Sequence, residues 1–490
     1  MLTSRRSRRL RWQALVAASC VALLVSACST VIDGRLLSGT YDPFFVDGLP
    51  VRDGASGPRD DAPAPVGTVK NSDGGQIDDL VLLSLNDVAD FWTQHYGDTL
   101  QGTFTPVTNF VSYDPQDPAS PEVCGSPTYR QVNAFFCPSR DLIGWDRAVL
   151  LPTAEKYFGP VAVTAVMAHE YGHAVQLMAD LVTRRTPVLV REQQADCFAG
   201  DYVRWVAAGD SPRFTLSTGD GLNHVLAGAI AMRDEVITPG AEDLLEQGHG
   251  TALDRVSAFQ MGFIAGAQAC ADIDMAHIEA RRADLPLTLQ VQDSGLVQSG
   301  EVRITEGTLQ TLMEVLGAVF NPADPPTLST VPDGCPDSPA SPAPASYCPD
   351  TNTVHVDLEA LQDMSIPATE SDYVLVQGDD TALSAVTSRY VLALQDARGL
   401  DVTSAATGLR TACLTGFAQR SMAEPIDIPS GDRLQLTAGD LDEAIAGLLT
   451  NGIAASDVSG ATAPAGFSRI AAFRSGLASE QAQACYQRFK

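Results

Sequence analysis

Histidine is scarce in this chain, 7 in 490 residues, and the basic residues are outnumbered, 32 Lys and Arg against 60 Asp and Glu. A formal charge of −28 repels polyphosphates, so nucleic acid is excluded as a partner. After the first 27 residues no apolar run reaches the roughly 18 to 20 residues a helix needs to span a bilayer, so no later segment crosses a membrane. Close Cys-x-x-Cys pairs are missing as well, which argues against a structural zinc-thiolate site. What the chain does have is one pair of histidines four residues apart with a glutamate between them.

The amino terminus is basic and then apolar. Arg5, Arg6, Arg8, Arg9 and Arg11 precede a run from Trp12 to Val25, the pattern of a targeting segment that is not part of the fold. Val25-Ser26-Ala27-Cys28 resembles a bacterial lipobox, in which Cys28 is acylated after cleavage. Residues 1–27 are therefore expected to be a lipoprotein signal peptide and Cys28 a lipid anchor at an extracytoplasmic membrane face of the cell envelope. A plain secretory signal or an uncleaved anchor shares the charge pattern but not the cysteine directly after small residues. Without the five leader arginines the formal charge falls from −28 to −33. Residues 28–74 hold runs such as DGASGPRDDAPAPVG and are expected to form a flexible tether.

MAHEYGHAVQ places His169 and His173 on one helix face with Glu170 beside them, because residues i and i+4 stack one turn apart. Two imidazoles on one face can share a metal ion, and the intervening glutamate can serve as a base for water; this is the zincin arrangement. Gly159-Pro160 starts the helix, and Val163, Val166, Met167 and Val175 make its other faces apolar. Further on, REQQAD offers Glu192 as a third ligand and, one turn later, Asp196 to accept the outer N–H of a ligating histidine. A fourth position stays open. The plainer reading, charged residues on solvated helices, leaves the coincidence of both segments unexplained. Tyr171, Tyr202, Trp205 and Phe263 are expected in the core.

The chain also repeats itself. FFCPSRDLIGWDRAVL at 135–150 recurs as SYCPDTNTVHVDLEAL at 346–361, LSTGDGLNHVLAGAI at 216–230 as LTAGDLDEAIAGLL at 436–449, and DRVSAFQMGFIAGAQAC at 254–270 as SRIAAFRSGLASEQAQAC at 468–485. The blocks keep their order, as expected of one duplicated domain of roughly 200 residues. Cysteine spacing agrees: Cys124 and Cys137 lie 13 apart, as do Cys335 and Cys348, while Cys197–Cys270 spans 73 and Cys413–Cys485 spans 72. Those four pairs are the expected disulfides, with buried free thiols at Cys197 and Cys413 as the alternative. DSPASPAPAS then belongs inside the Cys335–Cys348 loop, and the boundary between copies falls within 280–305. In the second copy Gly408 stands opposite Glu192 and Ala412 opposite Asp196, and ALSAVTSRYVLALQ replaces the histidine helix.

FFCP at 135–138, HEYGHAVQ at 169–176, EQQADC at 192–197 and HGTALDR at 249–255 together resemble the bacterial neutral zinc metallopeptidase family. The likeness covers about 130–270 and, in degenerate form, 335–485. It departs at Ala174, where the family often has a histidine, and at Ala252-Leu253-Asp254, where the family has a more polar run. The resemblance implies that His169, His173 and Glu192 bind zinc, that Glu170 is the catalytic acid/base, and that His249 stabilises the transition state. Ala463 stands opposite His249, whereas Arg469 matches Arg255, so Arg255 is expected to be structural.

The expected protein is thus mainly helical (α+β), with a zincin-like metallopeptidase domain duplicated in tandem. Residues 75–285 form the zinc domain and 300–490 the copy without ligands. It would hold one Zn²⁺ per chain and hydrolyse protein or peptide substrates at the membrane surface. A non-catalytic envelope binding or scaffolding protein on the same fold is the main alternative, and hydrolysis of a cell-wall amide a third.

Overall fold

The computed structural model describes residues 41–490, apart from 283, 293–294, 332–334, 336–343 and 368–374, together with Thr30–Ile32 and Arg35–Leu37. The leader 1–27, Cys28 and most of DSPASPAPAS lie outside the described residues. Thr30–Ile32 and Arg35–Leu37 pair antiparallel in a unit that ends at Tyr41. Everything from Asp42 onward forms a second unit.

Residues 42–74 of that unit are not a free tether. Gly57–Pro58 (β1) pairs with a strand at 214–215, and Val69–Lys70 (β2) joins a four-stranded sheet. Arg59 Nε donates to the carbonyls of Ser211 and Phe214, 3.0 Å each, and Asp53 Oδ1 accepts from Asp220 N at 3.0 Å. Composition misleads here because Gly, Pro and Asp that suit a flexible linker also suit extended chain laid on a surface, where Asp caps a helix.

The amphipathic helix α1 (Gln76–Thr99) buries Leu80, Val81, Leu83, Leu85, Val88, Phe91, Trp92 and Tyr96. It is followed by β3 (Asn109–Tyr113), β4 (Ala134–Cys137) and β5 (Leu142–Asp146). The sheet order is β4-β5-β3-β2, with β4 antiparallel to β5 and the remaining pairs parallel, so β4 is an edge. Next come α2 (Pro160–Met178) and α3 (Val188–Ala208). Pro160 at the first position of α2 suits its fixed φ and missing N–H. The expected core aromatics Tyr171, Tyr202, Trp205 and Phe263 are all buried; Phe91 and Trp92 of α1 meet Tyr202 and Phe198 edge to face.

After β6 (Phe214–Thr215) and α4 (Asp220–Ala231), α5 (Ala252–Ala265) begins with a capping box between Thr251 and Asp254. It lies against α3 so closely that a side chain at Gly200 would strike the Phe259 carbonyl, and one at Gly262 the Cys197 carbonyl.

The second half opens with α6 (Glu306–Phe320) and a sheet of β7 (Thr327–Ser329), β8 (Ala345–Cys348) and β9 (Thr353–Val356). The order is β8-β9-β7, antiparallel then parallel, as in β4-β5-β3. Helices α7 (Asp379–Asp396), α8 (Ala405–Ser421), α9 (Asp440–Thr450) and α10 (Gly466–Leu477) follow. Here Gly416 faces the Phe473 carbonyl and Gly476 that of Cys413, again at contact. All four expected disulfides are present: Cys124–Cys137, Cys197–Cys270, Cys335–Cys348 and Cys413–Cys485. The halves meet through α4 and α5 on one side and α9 and α10 on the other. Asp442 caps Ala252 N at the start of α5, while Asn223 caps Gly466 N at the start of α10, each at 3.0 Å. Phe263 stacks near Phe467, ring centres 4.8 Å apart. The protein is a mixed α+β structure dominated by helix. Among the described residues no helix is long and apolar enough to cross a membrane.

Candidate metal centre

Helices α2 and α3 bring His169, His173 and Glu192 together, with one ligand atom from each within 4.8 Å of the others. Gly172 makes this possible: a larger residue would press on the backbone at Ala195. Glu192 Oε2 is 3.2 Å from His169 Nε2, and its Oε1 is 3.6 Å from His173 Nε2.

Each outer ring nitrogen has a partner that sets the tautomer. His169 Nδ1 lies 2.8 Å from Asp196 Oδ1, a carboxylate that only accepts, so Nδ1 carries the proton. His173 Nδ1 lies 3.1 Å from Gln176 Oε1, whose amide nitrogen donates to the Arg191 carbonyl at 2.5 Å. Both Nε2 atoms then turn their lone pairs towards the Glu192 carboxylate. Lone pairs facing a carboxylate repel unless a proton or a cation lies between them, so the donor set fits a zinc ion of the His₂Glu class.

The electrostatics agree. Burial disfavours charge on His169, yet Asp196 and Glu192 outweigh it and push the imidazole up to about 10. Burial would raise Glu192, but its bonds from His169 and His173 hold it well below the usual carboxylate range. Burial would raise Asp196 too, and Arg255 with His169 reverses that. A group of neighbours that holds a proton this firmly in the pocket favours any cation there.

Glu170 is buried beside the two histidines, 7% exposed, and accepts from the N–H of Phe136 on edge strand β4 at 2.9 Å. Burial raises its carboxyl, against the pull of His169 and His173. A cleft of about 300 Å³ opens over the site, lined by Ala134, Phe135 and Phe136 of β4, by the histidines and Glu192, and by Met232 and His249. His249 does reach this cleft: its Nε2 is 3.7 Å from Glu192 Oε2 and its Nδ1 3.4 Å from Asp234 Oδ1.

Three contributors were not singled out from the sequence. Asp234 accepts from Gly250 N at 2.7 Å and so holds the His249 loop, but no spacing rule links it to residue 249. Phe136 acts through its backbone. Gln176 could have been found, since it lies one turn beyond His173. Arg255 was expected to be structural, and it donates to Met232 O at 2.7 Å and to Asp196 at 2.8 Å. It therefore also positions the carboxylate behind His169. Arg469 binds the Leu448 carbonyl at 2.9 Å, likewise at the end of the preceding helix.

At the matching place in the second half, the helix α7 carries Ser388, Arg389 and Leu392 where α2 has His169, Glu170 and His173. Arg389, 1% exposed, donates to the carbonyls of Asp457 and Ile453 and to Ser456. The turn at 453–455 fills the space further: a side chain at Gly408, opposite Glu192, would meet the Ala455 carbonyl. An arginine and main chain occupy the place that the histidine pair and the cleft hold in the first half.

No family model matches the chain, and no solved structure matches it. Among curated proteins, uncharacterized proteins of Mycobacterium bovis and Mycobacterium tuberculosis are 32% identical over 163 residues, which is 29% of this chain and 55% of the relative. The chain thus spans about half the length of the curated relatives it matches, and their names state no activity.

Proposed function

We propose that the chain is a zinc-dependent endopeptidase of the neutral metallopeptidase kind, tethered outside the cytoplasm through Cys28. Its first half would carry one Zn²⁺ and its second half would be a degenerate copy. The observation that carries this reading is the convergence of His169 Nε2, His173 Nε2 and Glu192 on one point, with Glu170 alongside in an open cleft. Four disulfides suit an oxidising compartment. The like sheet orders and the matching glycine contacts of α3 with α5 and of α8 with α10 support duplication. So does the reciprocal capping across the halves, the pattern expected of a two-fold interface.

When bound, zinc would polarise a carbonyl and lower the pKa of water to about 7. Glu170 takes the proton from the attacking water and passes it to the leaving amine; a raised carboxyl is the better matched base. Phe136 N–H fixes its Oε2 and so its direction. His249, set by Asp234, lies where it can donate to the developing oxyanion. Edge strand β4 flanks the cleft, and an extended peptide can lie along such an edge. This favours a peptide over other amides.

Metal analysis of purified residues 42–490 tests the reading directly: about one zinc per chain is expected, and folded protein that retains none would overturn it. Asp196→Asn is expected to weaken zinc binding about 10- to 100-fold, because the outer N–H of His169 would lose its charged acceptor. Competition with a zinc chelator measures this, and unchanged affinity would remove Asp196 from the site.

A further inference from the structure

The second half contains a carboxylate cluster that the zinc chemistry does not use. Glu301 in the segment between the halves, Asp379 at the start of α7 and Glu443 in the first turn of α9 bring ligand oxygens within 4.8 Å of one another. Asp380 and Asp440 adjoin them. Asp379 is 2% exposed and Asp380 1%. One oxygen of Asp379 accepts from Val302 N at 3.1 Å, while Oδ1 is buried with no hydrogen-bond partner among the described residues. Asp380 repeats the pattern: Gln419 donates to Oδ1 at 2.6 Å, and Oδ2 has no hydrogen-bond partner among the described residues. The Glu443 carboxylate is pressed so close to Gly378 that any side chain there would strike it, and its Oε2 accepts from Asp380 N at 3.0 Å. Among the described residues, none of the five acids forms an ion pair with a lysine or arginine.

Burying several carboxylates together without a counter-charge is strongly unfavourable. Burial first, and then the neighbouring carboxylates, push Asp379, Asp380 and Glu443 upward. The repulsion must be relieved by protons or by a cation. All-oxygen donors, several of them carboxylates, with one exposed member as an entry point suit a hard divalent ion; no histidine or cysteine takes part that would favour zinc. Asp379 and Glu443 are also specific to this half, whereas Asp440 has a counterpart in Asp220. Pro160 stands at the start of α2 where Asp379 starts α7, and Asn223 stands in α4 where Glu443 stands in α9.

We propose that Glu301, Asp379 and Glu443, with Asp380 beside them, form a calcium site that pins the segment joining the two halves to the starts of α7 and α9. Asp379 already holds Val302 N, and Thr437, bonded to Asp440, reaches the Gly300 carbonyl at 3.4 Å. The ion would complete that clamp.

The test is calcium titration of purified chain freed of divalent ions and given one equivalent of zinc, read by calorimetry and by thermal melting. One calcium per chain is expected, with Kd of about 10⁻³ M or tighter, together with a rise in Tm. Asp379→Asn and Glu443→Gln should each weaken calcium at least about tenfold while leaving zinc content unchanged. Without calcium both should melt at or above the unsubstituted protein, because a repelling charge has gone. Glu301→Gln, on the exposed side, should weaken calcium in the same sense. Absence of calcium binding by folded protein up to about 10 mM, a magnesium effect as large as that of calcium, or calcium binding undiminished in all three variants would each overturn the proposal.

Discussion

Glu170→Gln is expected to lower peptide hydrolysis by about 10²- to 10⁴-fold while leaving zinc bound. The substitution keeps the shape of the side chain and the acceptor for Phe136 N–H, which comes from an amide oxygen as readily as from a carboxylate. What it removes is the ability to hold and release a proton. Because Glu170 is not among the three converging ligands, zinc content should not change. Measuring kcat and zinc per chain on one preparation separates the roles. Activity retained with zinc bound would refute Glu170 as the base; activity and zinc lost together would show that the variant had damaged the centre. His169→Ala, by contrast, should release the metal.

Truncation to residue 75 should destabilise the protein by several kcal/mol, because each hydrogen bond lost contributes about 0.5–1.5 kcal/mol net and buried acceptors left unpaired cost more. The removed segment supplies Arg59 to the carbonyls at 211 and 214, Asp53 to the start of α4 and Arg52 N to Thr218. It also supplies β2, whose loss exposes a backbone edge on β3. Gly57 rests against Pro160 at the start of the helix that carries the histidine pair, so the damage should extend to the proposed metal affinity. Urea denaturation of 42–490 against 75–490 checks this, and equal midpoints would return 42–74 to the status of a tether. Arg59→Ala offers the finer comparison and should reproduce part of the loss.

These two expectations differ in where their grounds lie. The histidine helix was legible because i and i+4 share a face in any α-helix, so His169, Glu170 and His173 needed no tertiary information. The repeated blocks made the four disulfides legible, since matching cysteine spacings in the two halves pointed to the same loop closures. A spacing rule of this kind reports on contacts within one helix or on loops that recur at the same spacing. It is silent on where a loop or an extended strand comes to rest.

The sequence by itself determined the face shared by His169 and His173, the helices that carry them and Glu192, the cysteine pairing and the absence of a histidine pair from residues 300–490. Only the tertiary structure decided that 42–74 folds onto the first half, that Phe136 N–H and Asp234 orient Glu170 and His249, and that Arg389 with the 453–457 turn fills the second cleft. It alone gathered Glu301, Asp379 and Glu443, which are 64 or more positions apart. The physical reason is the same throughout: helix periodicity is local and is written residue by residue, whereas a backbone donor or a buried carboxylate gains its role from whichever distant segment the packing brings against it.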